Sequence, residues 1–362
     1  MAMKDDPRLR DLRKRIDDLD ARIQELVAER ARCAQQVGAL KQQNGSQNLY
    51  RPEREAQVLR QVIERNRGPL ADEEIARLFR EIMSACLALE SPLQVVFLGP
   101  EGTFTQAAAL KHFGHSVRIR PLAAIGEIFR EVESGAADFG VVPIENSTEG
   151  IVNHTLDMFM NSALKICGEV ELRIHHHLLG LGDGLEGRRR VVSHQQSLAQ
   201  CRGWLDANLP GVELVAVASN AEAARLAAAD RTLAAIAGGA AGEIYGLQKL
   251  ASNIEDEPDN TTRFLVIGRI DTQPSGDDKT SLMLSGQNRS GALAGLLGPL
   301  ARHGINMTRI ESRPARTGLW EYVFFVDIVG HAHDEHVQAA ISEIEREAAV
   351  VKFLGSYPRA VL

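Results

Sequence analysis

Apolar side chains recur every three or four residues along the first part of the chain. The series comprises Leu9, Leu12, Ile16, Leu19, Ile23 and Leu26. This spacing predicts a long helix with one buried face, and a face sustained over so many turns is typical of helices that pair with one another.

Two cations interrupt this apolar face. Arg30 takes the next position of the series, and Lys41 projects within about 20° of it, about three turns later. A buried cation is costly unless it meets an anion, so the two predict an enclosed anionic ligand. The alternatives are that the charges reach water or pair with Glu55. Arg13 lies about 25 Å before Arg30 on the same helix and is rotated by about 100°, so it can serve that ligand only from a neighbouring chain.

Two further helices are expected before residue 91. A tight turn around Asn44–Ser46 precedes the first, which carries an apolar series at residues 58–63. The second extends from Asp72 to Glu90 at helical spacing. Ser91–Pro92 then interrupts the pattern, which indicates a domain boundary.

Residues 93–271 alternate between apolar strands and helical patterns. Predicted strands include Leu93–Leu98, Val117–Ile119, Phe139–Val142 and Val191–Val192, and predicted helices include Ala107–His112, Ile125–Ser134, Ala221–Ala229 and Ala234–Tyr245. This alternation predicts a mostly parallel sheet, which we expect to be split into two lobes with a ligand cleft between them.

The stretch over residues 140–150 lies at the centre of this region. Its strand is expected to end near Pro143, because proline lacks the backbone donor that pairing requires. Glu145 and Asn146 follow, with two hydroxyl side chains after them. Ligands of open α/β sheets bind beyond the carboxyl ends of strands, so these side chains are candidates for a binding site. The alternative is a polar turn that caps a helix.

Four other signals are not expected to mark separate sites. Gly99–Gln106 suits an anion, but it lacks the lysine of a P-loop and the glycine spacing of a dinucleotide fingerprint. His175–His177 lie on a strand pattern, so their side chains alternate between faces and do not all reach one metal ion. Ser193–His194 lacks a nucleophile elbow. Gly238–Gly242 lies in a helical context, where glycines permit close packing.

The last part of the chain predicts a small α+β unit. After a linker at Thr272–Asp278, the predicted order is strand, helix, strand, strand, helix, strand, which is that of a ferredoxin-like sandwich. The predicted strands are Leu282–Leu284, Ile305–Ser312, Leu319–Val329 and Val350–Leu354. One predicted helix is capped by Ser290 and ends at His303, and the other extends from His333 to Arg346.

Composition narrows the class of protein. The chain has 362 residues, 44% hydrophobic and 25% charged, as expected of a globular protein with two or three domains. A net charge of −7 argues against a general nucleic-acid binder. The four cysteines are scattered without metal-ligand spacing, which fits a reducing cytosol. With no secretory signal and no apolar run of membrane-spanning length, we expect a cytoplasmic protein that does not bind membranes.

The helical region resembles the all-helical chorismate mutases. The motifs that carry the resemblance are Leu12-Arg13, Leu19-Asp20, Glu29-Arg30, Val37-Gly38, Lys41 and Arg54-Glu55. The resemblance implies an intertwined homodimer or higher homo-oligomer that binds the chorismate dianion. It implies that Arg30 and Arg54 bind the carboxylates of the substrate. Arg13 would reach the site from the neighbouring chain. It places Lys41 on the ether oxygen and Glu55 on the ring hydroxyl. The rearrangement is unimolecular, so positioned cations and a folded substrate suffice to lower its barrier.

Two positions depart from that family. Glu90 stands where the family often has glutamine against the ether oxygen, and a carboxylate would repel the charge that develops there. We therefore expect mutase activity to require protonated Glu90. Arg51 or Pro52 lies near the position of an aspartate that binds a hydroxyl, which leaves the contacts there open.

Four motifs of the middle region resemble the prephenate dehydratases. They are Gly99–Gln106, Pro143–Ser147, Ser193–Gln200 and Thr262–Phe264, in the family's order. The resemblance implies a two-lobed α/β fold, similar to periplasmic binding proteins, that holds prephenate in its cleft. It places Glu145, Asn146, Ser193, Gln200, Thr262 and Arg263 at the site, with Thr103 close by. Arg263 would bind a carboxylate, and Thr262 would donate a hydrogen bond to the departing hydroxyl. Glu145 is the alternative acid, if burial raises its pKa.

Two motifs of the last region resemble the phenylalanine-binding motifs of ACT regulatory domains. They are Gly291-Ala292-Leu293 at a helix start and Glu311-Ser312-Arg313 on a strand. The resemblance implies feedback inhibition by phenylalanine. The alternative is a purely structural α+β domain.

Together these features predict a multidomain protein: a helical chorismate mutase domain at residues 1–91, a prephenate dehydratase domain at 92–271 and an ACT domain at 279–362. We expect it to convert chorismate to prephenate and then to phenylpyruvate in phenylalanine biosynthesis, without a cofactor or metal. The alternatives are an arogenate dehydratase and a non-catalytic amino-acid sensor.

Overall fold

The computed structural model describes residues 6–43, 50–148, 150–286, 289–315 and 322–361. Its first part contains three helices, α1 (Pro7–Gln43), α2 (Pro52–Arg65) and α3 (Asp72–Glu90). Proline begins α2 at a position where its missing N–H costs nothing. All three predicted helices are confirmed, and the predicted turn around Asn44 lies outside the described residues.

The apolar face of α1 is open to solvent in the single chain. Its six apolar side chains, from Leu9 to Leu26, are 42% to 62% exposed. Near its other end, Gly38 packs against Glu90, the last residue of α3, so closely that a Cβ at Gly38 would lie 2.8 Å from a carboxylate oxygen. An exposed apolar face of this length is unusual for a monomer and typical of a contact surface.

The middle part contains two sheets with helices on their faces. Its strands are β1 (Gln94–Leu98), β2 (Arg118–Leu122), β3 (Phe139–Asn146), β4 (Gly150–Ile151), β5 (Lys165–Arg173), β6 (His177–Gly180), β7 (Arg190–His194), β8 (Glu213–Val217), β9 (Leu233–Ala237), β10 (Gln248–Ala251) and β11 (Thr261–Gly268). Its helices are α4 (Phe104–Phe113), α5 (Ile125–Ser134), α6 (Asn153–Asn161), α7 (Gln195–Gln200), α8 (Arg202–Asn208), α9 (Asn220–Ala229) and α10 (Gly239–Tyr245).

Both sheets are mixed. The first lobe has the order β2-β1-β3-β11-β5 with β4 beside β3, and the second lobe has the order β10-β6-β9-β7-β8. Strand β11 runs antiparallel to both β3 and β5, and β6 runs antiparallel to β9 and β10. The two lobes are confirmed, but the mostly parallel sheet is wrong. The chain builds the second lobe and then returns β11 to the first, and local patterns do not indicate that long-range pairing.

Strand β3 does not end at Pro143. It continues to Asn146. Its pairing with β11 shifts register after Pro143: Phe264 lies opposite Pro143, and the next residue back along β11, Arg263, lies opposite Glu145. Such an irregularity lets a strand accommodate a residue without a backbone donor. The predicted strand end was therefore wrong, and Glu145 and Asn146 are strand residues that point to opposite faces.

The predicted helix over Ala234–Tyr245 is wrong in its first half. Residues Leu233–Ala237 form β9, which is buried throughout between β6 and β7, and α10 begins only at Gly239. Alanine favours helices, but tertiary context overrides propensity. The small side chains of β9 pack beneath Ala223, Ala224 and Ala227 of α9.

The last part confirms the predicted ferredoxin-like order. Its elements are β12 (Asp278–Ser285), α11 (Ala292–Arg302), β13 (Met307–Pro314), β14 (Tyr322–Val329), α12 (Glu335–Glu347) and β15 (Val350–Pro358), in an antiparallel sheet of order β13-β14-β12-β15. The predicted serine cap of α11 is wrong. Gly291, with φ of 78°, occupies the N-cap position and no side chain caps the helix.

This C-terminal sheet packs directly on the first lobe. One core cluster contains Phe129 and Leu265 of the lobe together with Phe325 and Tyr357 of the sheet. Gly355 of β15 lies against the backbone of Ile166, where a Cβ would collide. The two units therefore share a continuous interface. In the part of the chain described, no helix is long and apolar enough to cross a bilayer.

Candidate functional site

A cleft separates the two lobes. Its cavity has a volume of about 390 Å³ and is lined from both sides. Of the residues predicted for the prephenate site, Thr103, Asn146, Gln200 and Thr262 line this cavity. These four come from four separate segments of the chain, which the fold brings together.

Asn146 and Thr262 are direct cross-strand partners on β3 and β11. Asn146 Nδ2 donates to Thr262 Oγ1 at 2.7 Å and to Asn260 Oδ1 at 2.7 Å. Because the Thr262 oxygen accepts this bond, the hydroxyl hydrogen is available to a group in the cleft. Asn260, which is 2% exposed, was not predicted from the sequence.

A buried histidine extends the network on the opposite wall. Gln200 Oε1 accepts hydrogen bonds from His176 Nε2 at 2.9 Å and from Asn260 Nδ2 at 3.1 Å. An amide oxygen only accepts, so His176 carries its hydrogen on Nε2. Burial lowers the pKa of His176, which keeps the ring neutral. His175 and His176 lie before β6, so the predicted strand placement is wrong for both.

Ser193 supports the cleft from behind. Its side chain is buried, and its hydroxyl donates to Ile236 O at 2.7 Å and lies 3.0 Å from Asn220 Oδ1. Asn220 Oδ1 also accepts from Ser197 Oγ at 2.9 Å. Asn220 and Ser197 line the cavity, whereas Ser193 does not. A direct contact of Ser193 with substrate stays a prediction.

Thr103 stands at the start of α4. As N-cap residue it accepts from Gln106 N, and its hydroxyl donates to Leu98 O at 3.1 Å. The first turn of α4 therefore lies at the cleft, where Phe104 and Thr105 also line the cavity.

Glu145 and Arg263 point away from the cleft. Neighbouring residues of a strand face opposite sides, so these two lie behind Asn146 and Thr262. Arg263 is 6% exposed, and its guanidinium binds Glu169, Asp327, Tyr357 and Glu145 at 2.7, 2.7, 2.9 and 3.3 Å. Neither side chain lines the cavity, and their roles toward prephenate stay predictions.

In the helical part, Glu90 and Lys41 lie close enough to interact. Burial raises the pKa of Glu90, and the Lys41 ammonium acts in the opposite direction. Among the described residues, Glu90 Oε2 is buried without a hydrogen-bond partner. A protonated carboxyl group tolerates this environment better than a carboxylate does.

Glu55 has a partner that sequence analysis missed. Arg80 Nε lies 3.2 Å from Glu55 Oε1, and Arg80 also donates to Lys111 O and His112 O at 2.8 and 2.7 Å. Burial raises the pKa of Glu55, and Arg80 and Tyr50 counteract it. Glu55 is therefore held where α2 and α3 meet α4 of the first lobe. Of the remaining predicted residues, Arg30 is half-buried and Arg13 and Arg54 are exposed in the single chain.

Comparisons with known proteins cover almost the entire chain. Family models match at residues 12–91 (chorismate mutase type II), 95–272 (prephenate dehydratase) and 280–346 (ACT domain). A bifunctional chorismate mutase/prephenate dehydratase of Stutzerimonas stutzeri is 58% identical over 366 residues, covering 99% of this chain and 100% of that protein. The chain belongs to this bifunctional family. The corresponding protein of Pseudomonas aeruginosa is 57% identical over 365 residues, with 99% and 100% covered.

A solved structure matches the dehydratase and ACT parts of this family member. It is a prephenate dehydratase from Arthrobacter aurescens in complex with L-Phe, 36% identical, with a TM-score of 0.69. The match covers 74% of this chain and 90% of that one. It supports the two-lobed α/β fold.

The two regulatory motifs of this family member lie apart within one chain. Gly291 and Ala292 line a cavity of about 90 Å³, together with Arg289 and Glu347. Leu293 is 37% exposed beside them.

The second motif lies on β13. Arg313 forms an ion pair of 2.7 Å with Asp157 on α6 of the first lobe, and the preceding motif residues are Glu311 and Ser312. None of these three residues lines the small cavity. In the described residues, no cluster of His, Cys, Asp or Glu could hold a metal ion.

Proposed function

We propose that the helical part rearranges chorismate to prephenate and that the cleft converts prephenate to phenylpyruvate, with phenylalanine as the inhibitor. Family membership over the full chain supports both activities. The single observation that carries the dehydratase site is the hydrogen bond from Asn146 to the Thr262 hydroxyl at the edge of the cleft.

The dehydratase step needs little acid strength from the protein. Prephenate loses carbon dioxide and its ring hydroxyl, and formation of an aromatic ring drives the loss. Thr262 donates its hydrogen to the departing hydroxyl while its oxygen accepts from Asn146. A threonine hydroxyl does not ionise near neutral pH, so Thr262 acts as a positioned hydrogen-bond donor.

The prephenate carboxylates are bound mainly by neutral donors. Among the described residues that line the cavity, there is no lysine, arginine, aspartate or glutamate. Two ten-residue helices, α4 and α9, begin at the cleft with Thr103 and Ser219 as their N-caps. Free N–H groups and the helix dipole at such positions favour anions. We assign carboxylate binding to these helix starts, with Gln200 beside them.

The mutase step relies on cations placed around the ether oxygen. We propose that a second copy of the chain packs its α1 against the exposed apolar face and brings in its Arg13. Arg30, Lys41 and Arg54 complete the cationic set. Protonated Glu90 donates a hydrogen bond to the ether oxygen as negative charge gathers there. We also propose Glu55, held by Arg80, as a contact of the ring hydroxyl.

Phenylalanine is the proposed effector of the C-terminal unit. The ACT family match and the L-Phe complex of the Arthrobacter aurescens protein support this assignment. We propose that Gly291, Ala292 and Leu293 bind the amino acid, with Glu311, Ser312 and Arg313 completing the site from a second copy. We further propose unit boundaries after residue 91 and within the linker at 272–278.

A stopped assay with chorismate as the sole substrate tests the assignment. We expect phenylpyruvate to form and its rate to fall when phenylalanine is added. Accumulation of prephenate without phenylpyruvate would contradict the dehydratase site. Turnover of added prephenate but not of chorismate would contradict the mutase site.

A further inference from the structure

The two strands that carry the catalytic pair have a second, buried face. Asn146 and Thr262 face the cleft, and their chain neighbours Glu145 and Arg263 face the C-terminal sheet. The two pairs are in register across β3 and β11. Any displacement of Arg263 or Glu145 therefore moves the backbone that positions Thr262 and Asn146.

The C-terminal sheet supplies three of the four residues that contact Glu145 and Arg263 from outside the pair. Arg263 binds Asp327 at 2.7 Å and Tyr357 Oη at 2.9 Å, both from the C-terminal sheet. Arg309 of β13 lies 3.0 Å from Glu145 Oε2. This contact is an ion pair and not an aligned hydrogen bond, because Arg309 Nε has no hydrogen-bond partner in the described part of the chain.

Asp327 is itself held in place. Ser281 Oγ donates to Asp327 Oδ1 at 2.5 Å. Burial alone would raise the pKa of Asp327, but Arg263, Arg309 and this hydroxyl hold it below its usual range. Asp327 is therefore a charged anchor between the two arginines.

Neither unit balances the charges of this network alone. The first lobe contributes Glu145, Glu169 and Arg263, and the C-terminal sheet contributes Asp327, Lys279 and Arg309. The first set carries one excess negative charge and the second one excess positive charge. The network is neutral only when the units are docked, and a buried unpaired charge is strongly unfavourable. This condition favours the docked arrangement of the sheet on the lobe.

We propose that Asp327 and Arg309 of the regulatory unit are positioning residues for the dehydratase reaction. They hold Arg263 and Glu145, and through them the geometry of Thr262 and Asn146. Neither touches the cleft. The inference rests on the proposed dehydratase activity, and it makes the regulatory unit part of the framework of the catalytic pair and not only a carrier of the effector site.

The test uses the full-length chain and measures both activities on each variant. Asp327→Asn and Arg309→Gln should lower the kcat for prephenate by roughly tenfold or more, since small misplacements of reacting groups have effects of this size. The KM for prephenate should change much less, and chorismate turnover, which serves as the folding control, should stay the same. Arg309→Lys should restore most of the kcat.

Two further variants make the test specific. Glu343→Gln removes an ion pair with Arg302 on the surface of the same unit and should change neither activity. Combining Glu145→Gln with Arg309→Gln should lower kcat no further than either change alone, because both remove one contact.

Two results would overturn the inference: a normal dehydratase kcat in folded Asp327→Asn and Arg309→Gln, or a loss in Arg309→Gln matched by an equal loss in the Glu343→Gln control. If Asp327→Asn does not fold, Arg309→Gln decides, because the Arg309 side chain is partly exposed at 11%. A wild-type chain that turns over no prephenate would refute the proposed function instead.

Discussion

Asn146 Nδ2 lies 2.7 Å from Thr262 Oγ1 and donates to it across two antiparallel strands. The hydroxyl oxygen is thereby occupied, and its hydrogen is left for a group in the cleft. This arrangement favours Thr262 over Glu145 as the donor to the departing hydroxyl, because Glu145 points to the opposite face.

Thr262→Ala should reduce the kcat for prephenate by roughly a hundredfold, the usual cost of removing one donor to a developing charge. Thr262→Ser keeps the hydroxyl and should retain most of the activity. Glu145→Gln removes ion pairs only on the back face, with Arg309 and Arg263, and should have a smaller effect on kcat than Thr262→Ala. Initial rates of phenylpyruvate formation measure all three variants. Near-normal turnover of Thr262→Ala would refute its role as donor.

The mutase reaction should lose activity as the pH rises. In the proposed mechanism the protonated form of Glu90 is the active one. Burial raises the pKa of Glu90, so mutase activity should persist above the usual range of a carboxyl group and fall as the pH passes through the raised value. Glu90→Gln cannot ionise and should have a flat profile with activity retained at high pH. A wild-type profile that is flat from about pH 5 to 8 would contradict the requirement for a proton.

The exposed face of α1 should hold two chains together. Leu19→Glu places a charge in the middle of that face, and we expect dissociation into monomers and a loss of mutase turnover of roughly tenfold or more, because Arg13 then no longer reaches the partner's site. Ala21→Glu is the matched control, since Ala21 is exposed and lies on the opposite side of the helix. Light scattering and chorismate turnover test both variants. A Leu19→Glu dimer with full mutase activity would contradict the proposed pairing.

His112 should make folding stability depend on pH. Burial, together with the nearby Arg80, lowers the pKa of His112 to about 3, below its unfolded value of 6.5. The unfolded chain therefore binds a proton that the folded chain does not, and the free energy of unfolding should decrease as the pH falls from about 6.5 toward 3, by at most about 1.4 kcal/mol per pH unit.

His112→Asn removes this titrating group. The free energy of unfolding of the variant should therefore decrease less than that of the wild type over the same pH range. Urea unfolding at several pH values measures the difference. His115→Asn is the control, because His115 is largely exposed and bonds Glu81 near the surface. An identical pH dependence for wild type and His112→Asn would refute the assignment to His112.

Much of the protein follows from the sequence alone. The spacing of apolar residues along α1 and α3 identified both helices, because helical contacts are local and repeat with the turn. The order of elements in the C-terminal unit follows in the same way. The motifs that contain Asn146, Gln200 and Thr262 predicted a shared site through their resemblance to the prephenate dehydratases, and the three residues line one cleft.

Tertiary structure alone decided how these pieces face one another. Whether Glu145 or Asn146 points into the cleft depends on the register of β3 against β11 around Pro143, a pairing between residues more than a hundred positions apart. The same holds for Arg263, which a local motif suggests as a substrate ligand but which binds Asp327 of another unit. His176 and Asn260 join the site only through contacts between segments. Local sequence determines which elements form, and the packing of distant segments determines which side of each element meets the substrate.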